Sequence, residues 1–171
     1  MYTMSTKERE YSDAEHALHE AGHAVLQAML GIGCKRVTIV PDDECAGASF
    51  HGGEYGHDVT DHEDEDDDVC RLRRYAEDSF WLRHAIAAYG GAEALRRSGI
   101  SNYEAGAEQD LQDAADAINR LASDPESIDA LFIIARRRCL ALVKHYWPEI
   151  ERVATALLQS RSLTGAGGEN R

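Results

Sequence analysis

The sequence predicts a mainly α-helical (α+β) protein that carries one small β-hairpin. Three observations predict it. Apolar residues recur at helical spacing from residue 14 to residue 158. Helix-start and helix-stop residues punctuate those stretches. Only one β-branched run, Arg36-Val-Thr-Ile-Val40, is followed by turn chemistry at Pro41-Asp-Asp.

Ser12-Asp-Ala-Glu15 is a capping box, in which side chain and backbone satisfy each other's first-turn donors. The helix it opens places Ala14, Leu18, Ala21, Val25 and Ala28 on one face and stops at Gly31. Arg36–Val40 then reads as a strand, and Ala46–Phe50 as its returning arm. Residues 51–68 are rich in Gly, His and acid without any period, and read as a loop.

Helical period resumes at Val69 and runs through Leu72, Ala76, Phe80 and Ile86 to Gly90-Gly91. A short helix over Ala92–Arg97 follows. The next spans about Ala105 to Ala122, with Ala107, Leu111, Ala114, Ala115, Ile118 and Leu121 on its apolar side. Asp124-Pro125 starts a long helix, and Trp147-Pro148 breaks it and starts the last one. Residues 1–171 read as one domain, with 1–11 and 165–171 as flexible ends.

Composition narrows the function. The chain of 171 residues holds 31 Asp+Glu against 18 Lys+Arg, a net charge of −13. Such a balance disfavours binding to nucleic acid or anionic membrane, where affinity comes from cations. Nine of those acids fall between Glu54 and Asp68, so the charge is largely one local feature. No apolar run is long enough for a membrane span, and no phosphate-loop or dinucleotide motif marks an ATP site. Cys34, Cys45, Cys70 and Cys139 are irregularly spaced, as reduced thiols of a cytoplasmic protein would be.

The chemistry sits in the first helix. His19-Glu20-Ala21-Gly22-His23 is HExxH, and positions i and i+4 of a helix lie about 40° apart, so both imidazoles share a face. Two neutral imidazoles on one rigid helix are half of a tetrahedral zinc site. Glu20 flanks that surface and is placed as general base toward a metal-activated water. Leu26 and Leu30 continue the ligand face into apolar surface, which disfavours a merely solvated helix face.

Zinc needs a third ligand. Leu26 stands where metzincins require glycine, and Glu44-Cys45 lacks the flanks of the deformylase cysteine. Gluzincins take a glutamate from a later helix, which leaves Glu93 as a formal candidate.

Several segments in order resemble another family. His19-Glu-Ala-Gly-His-Ala24, Val37-Thr-Ile-Val-Pro41, Ala46-Gly-Ala-Ser-Phe50 and Ala88-Tyr-Gly-Gly-Ala-Glu-Ala94 are four of them. Gly106-Ala-Glu-Gln-Asp110 and the end from Ala156-Leu-Leu to Ser162-Leu-Thr-Gly165 complete the set. Together they resemble the peptidase domain of the FtsH-type, AAA-linked zinc metalloproteases. The resemblance implies a helical zincin-like domain with Asp110 as third zinc ligand, beside His19 and His23. It also implies that the strand Ala46, Gly47, Ala48, Ser49, Phe50 binds extended peptide by β-augmentation.

On the helical wheel Asp110 lies about 20° from Leu121, at the margin of the apolar stripe, while Asp113 and Asp116 point away. By itself that position suits a metal ligand or an acid reaching for water. Glu93 then becomes a supporting residue. The family's ATPase module and membrane anchors are not found in the sequence, so the resemblance implies a stand-alone peptidase for unfolded or flexible chains.

The expected function is therefore a zinc metalloendopeptidase with one Zn2+ per chain, Glu20 as base, and peptide or unfolded protein as substrate. The alternative is a catalytically silent zinc-binding module of the same fold that binds peptides or partners. Homo-oligomerisation stays open. His51, His57 and His62 read as part of a solvated acidic loop, and Arg136-Arg137-Arg138 as a solvated helix face.

Overall fold

The computed structural model describes residues 11–41, 48–51, 67–101, 103 and 106–165. Helix α1 spans Asp13–Met29 and opens on the capping box: Ser12 Oγ accepts from the Glu15 amide, and Glu15 accepts from the Ser12 amide at 2.8 Å. Gly31, at φ +71°, carries the chain out of the helix in the left-handed region. Strand β1 is Cys34–Thr38 and β2 is Ala48–His51, followed by α2 (Asp67–Ala88) and α3 (Gly90–Arg97). After α4 (Glu108–Asn119), α5 covers Pro125–His145 with Asp124 as its N-cap. Helix α6 (Trp147–Ser160) leads to strand β3 (Ser162–Thr164).

The mainly helical architecture with a small β element is as expected. No helix of the described residues is long and apolar enough to cross a membrane. The β element is larger than a hairpin: β1 lies between β2 and β3, antiparallel to both. Arg161 adopts φ +64° after α6 and turns the chain into β3. Its carbonyl accepts from the Ile39 amide at 2.9 Å and from Thr38 Oγ1 at 3.2 Å, while its guanidinium pairs with Asp13. Thr164 is thus in a strand, and the Gly165 amide donates to the Lys35 carbonyl at 2.8 Å, so residue 165 is anchored and not a frayed end. Tyr11, also expected in a flexible end, donates its hydroxyl to the Tyr103 carbonyl at 3.1 Å. Residues 1–10 and 166–171 lie outside the described residues.

Helix α1 is the axis of the molecule. It packs against α6, α3, α2 and α5 and against β1 and β2. Every residue from His19 to Gln27 is buried, while Ala14 and Ala28 are exposed. The apolar face and the ligand face read from the sequence are both covered, and burial of nine consecutive residues extends the enclosure to all sides of the helix. Around it Leu26, Ile39, Ile86, Leu95, Ile118, Ile150 and Leu157 are fully buried. Burying each such side chain contributes about 1.5–3 kcal/mol.

Two glycines let α1 and α3 meet backbone to backbone. A Cβ on Gly22 would lie 2.4 Å from the Gly90 carbonyl oxygen, and one on Gly90 2.8 Å from the Gly22 carbonyl oxygen. Helix α4 buries Ala114, Ala117 and Ile118, whereas Leu111 is 42% exposed. The first turn of α4 turns Asp110 inward instead, and Leu111, about 100° further round, faces out. Residues His51, Asp67 and Asp68, assigned to the acidic loop, belong to β2 and α2. The remainder of that loop lies outside the described residues, as do Ala46 and Gly47.

Candidate metal centre

The i, i+4 spacing on α1 brings the two imidazoles to a centroid distance of 4.7 Å, and their Nε2 atoms lie 3.1 Å apart. Asp110 comes from the first turn of α4 and completes the group. Its Oδ2 is 3.1 Å from His19 Nε2 and 3.1 Å from His23 Nε2. Among the described residues, these three form the one group of His, Cys and acid side chains able to hold a metal ion.

The approach to α4 is specific to its sequence. Gly106 takes φ +83°, and the buried Ala107 is the N-cap and supplies no side-chain cap, which leaves Asp110 in the first turn of α4. A carboxylate at a helix N-terminus is favoured by the helix dipole. Asp113 and Asp116 are exposed and accept from Gln109 and Gln112 on the outer face.

The donor set suits zinc. Two imidazole nitrogens and a carboxylate oxygen are borderline-hard ligands, and bonds of about 2.0–2.1 Å in a tetrahedron put ligand atoms about 3.3–3.4 Å apart. The observed triangle of 3.1 Å sides is close to that. His23 Nδ1 lies 3.0 Å from the Ala87 carbonyl, an acceptor, so Nδ1 carries a proton and Nε2 faces Asp110.

At this site, among the described residues, the buried His19 Nδ1 and Glu20 Oε2 have no hydrogen-bond partner. A buried carboxylate oxygen left unpaired costs about 1–3 kcal/mol, a cost usually tolerated where the atom has work to do. Burial, first of all, raises Glu20 to a pKa of about 7; His23 opposes the rise and the Asp110 charge adds to it. His19 is pushed below its ordinary value, again chiefly by burial. Burial also pushes His23 down and Asp110 up, but their mutual attraction outweighs it. His23 rises to about 9, and Asp110 is held well below the usual carboxylate range.

The third neighbour is Gly91. A Cβ there would stand 2.5 Å from His23 Nε2 and 2.6 Å from His19 Cε1 and Nδ1. The bare backbone at the start of α3 is what leaves room for both rings.

Of the residues expected at the site, His19, His23 and Asp110 converge, and Glu20 lies buried next to His19 on α1 within the electrostatic reach of His23 and Asp110. Ala48, Ser49 and Phe50 lie in β2, at one edge of the described sheet and alongside α1. Glu93 is not one of the group: buried, it accepts from Arg96 Nε and from Arg136 Nε at 3.1 Å. Arg136, Arg137 and Arg138 are all exposed, as a solvated helix face requires, and Arg136 in addition reaches the buried Glu93 with its Nε.

Sequence reasoning missed the Ala87 carbonyl, whose direction no side chain announces, and the role of Gly91. The Gly90-Gly91 pair was its only signal. No protein-family model and no curated protein matches the chain.

Proposed function

We propose that the chain is a zinc-dependent metallopeptidase of the FtsH-type class, with His19, His23 and Asp110 as ligands of one zinc ion. The observation that carries the reading is the 3.1 Å triangle of ligand atoms beside a buried, unpaired Glu20 oxygen.

When bound, zinc supplies a Lewis acid for a carbonyl and makes a nearby water more acidic. The chain's own residues do the rest. Glu20, with a pKa near 7, takes the proton of the attacking water at its unpaired oxygen and returns it to the departing amine. The Ala87 carbonyl holds His23 in one orientation, and Asp110 balances charge. Edge strand β2, through Ala48, Ser49 and Phe50, offers main-chain groups to an extended peptide. Recognition through main-chain groups favours unfolded or flexible substrates over a defined sequence.

Incubating zinc-loaded protein with unfolded casein, with and without chelator, tests the reading. Cleavage that stops with chelator and returns with added zinc supports it. Stoichiometric zinc without cleavage leaves a silent zinc-binding module.

A further inference from the structure

Tyr11 stands just before α1, yet two of its contacts lead to the segment that delivers Asp110. Its hydroxyl donates to the Tyr103 carbonyl at 3.1 Å, across 92 residues of chain. Its ring lies against Gly106, where an added Cβ would come within 3.3 Å of Tyr11 Cε2. The same ring sits 5.5 Å from the His16 ring and 6.3 Å from the His19 ring, centroid to centroid. Tyr11 therefore touches both the helix that carries the histidines and the approach that carries the carboxylate.

Tyr103 is held from a second side. Arg136 on α5 reaches its hydroxyl with Nη2 at 3.4 Å, while Arg136 Nε donates to the buried Glu93 on α3. The chain of contacts runs from α3 through α5 to Tyr103 and then to Tyr11. Tyr103 is thus pinned by its hydroxyl to the body of the molecule and by its carbonyl to the start of α1.

Among the described residues no such anchor is seen for Asp110 itself. In the first turn of α4 its partners are His19 and His23. A side chain whose two partners are the other ligands depends on its backbone for position. Gly106, in the left-handed region four residues earlier, is a point at which that backbone can swing.

We propose that Tyr11 is a positioning residue for the metal centre: its bond to the Tyr103 carbonyl and its packing on Gly106 hold the α4 approach where Asp110 meets both imidazoles. The assignment rests on the metal-site reading above. It goes beyond it by giving a residue outside the ligand set a share in zinc affinity. Supporting residues around metal ligands typically change metal affinity 10–100-fold when removed.

The test uses Tyr11→Phe, which removes the hydroxyl and keeps the ring. Zinc affinity is measured by chelator competition for the parent, Tyr11→Phe and Gln112→Ala, the last removing a hydrogen bond on the outer face of the same helix. The cobalt-substituted absorption spectrum is recorded for each, with Asp110→Ala as reference. We expect Tyr11→Phe to bind zinc about tenfold more weakly, its cobalt spectrum to move toward that of Asp110→Ala, and Gln112→Ala to match the parent. A merely structural tyrosine would lower the melting temperature without moving the spectrum. Parent-like affinity with a parent-like spectrum in Tyr11→Phe overturns the assignment while leaving the metal centre standing. A parent chain that binds no zinc overturns the metal reading, and this assignment with it.

Discussion

His23 donates its Nδ1–H to the Ala87 carbonyl at 3.0 Å, a bond from the middle of α1 to the last turn of α2. A carbonyl only accepts, so Nδ1 keeps its proton and Nε2, turned toward Asp110 3.1 Å away, is the nitrogen that titrates. The metal-free centre is then an ion pair: His23, lifted to about 9, faces an Asp110 held well below its ordinary range.

On the proposed reading, that ion pair would make zinc binding pH-dependent. Zinc would displace the His23 proton, so apparent affinity should rise with pH, by up to about tenfold per unit, and level off above about 9. Chelator competition at several pH values measures it, and a flat profile would contradict the coupling. The metal-free chain behaves oppositely. A raised histidine contributes stability that is fully present below 6.5 and is lost as pH climbs through about 9, so melting in chelator falls over that window. The depressed Asp110 contributes above its ordinary value of 3.8 and loses its contribution only as pH falls through its lower folded value.

Gly91→Ala should cost the metal rather than the fold. The added methyl would sit 2.5–2.6 Å from both ligand rings, which must turn aside. Zinc affinity is expected to fall at least about tenfold, as for other disturbed ligand supports. Chelator competition beside circular dichroism checks both halves. Parent-like binding would show that the rings have room the structure does not give them.

Gly22→Ala is expected to do the reverse. Its methyl would meet main chain, the Gly90 carbonyl at 2.4 Å, and no rotamer relieves a backbone contact. Forcing α1 and α3 apart should cost ~3 kcal/mol, the upper end of overpacking penalties. Denaturant unfolding of the metal-free chain measures it, and an unchanged midpoint would refute the close approach.

Asp110→Ala removes one of the three proposed ligands and leaves a half-buried space. Zinc content after dialysis should fall well below one per chain, and the stabilisation that zinc confers should shrink with it. Asp113→Ala, on the exposed side of the same helix, should retain the metal. Equal zinc in both variants would remove Asp110 from the centre.

Much of this was legible in the sequence because it is local. The capping box, the Gly31 stop, the Asp124-Pro125 start and the HExxH spacing each involve residues a few positions apart. Asp110 was legible only through a resemblance joined to its place at an apolar margin, since nothing local marks one aspartate of α4 above the others. What escaped was long-range. Strand β3 is three residues of unremarkable propensity and exists because β1 has a free edge beside it. Leu111 looked like core, but α4 is oriented by its first-turn carboxylate and by Ala114, Ala117 and Ile118. Tyr11 and Arg136 looked peripheral until their partners, 92 and 43 residues away, were in place.

Glu20 is the residue on which the proposed proton transfer depends. Its buried, unpaired oxygen is assigned to proton transfer and not to metal binding, so Glu20→Gln should keep parent-like zinc content. The measurement is the rate of casein cleavage by parent and Glu20→Gln at equal zinc occupancy. We predict a loss of about 10²–10⁴-fold in the variant, the usual contribution of a general base. Cleavage at the parental rate by a fully zinc-loaded Glu20→Gln would contradict the mechanism.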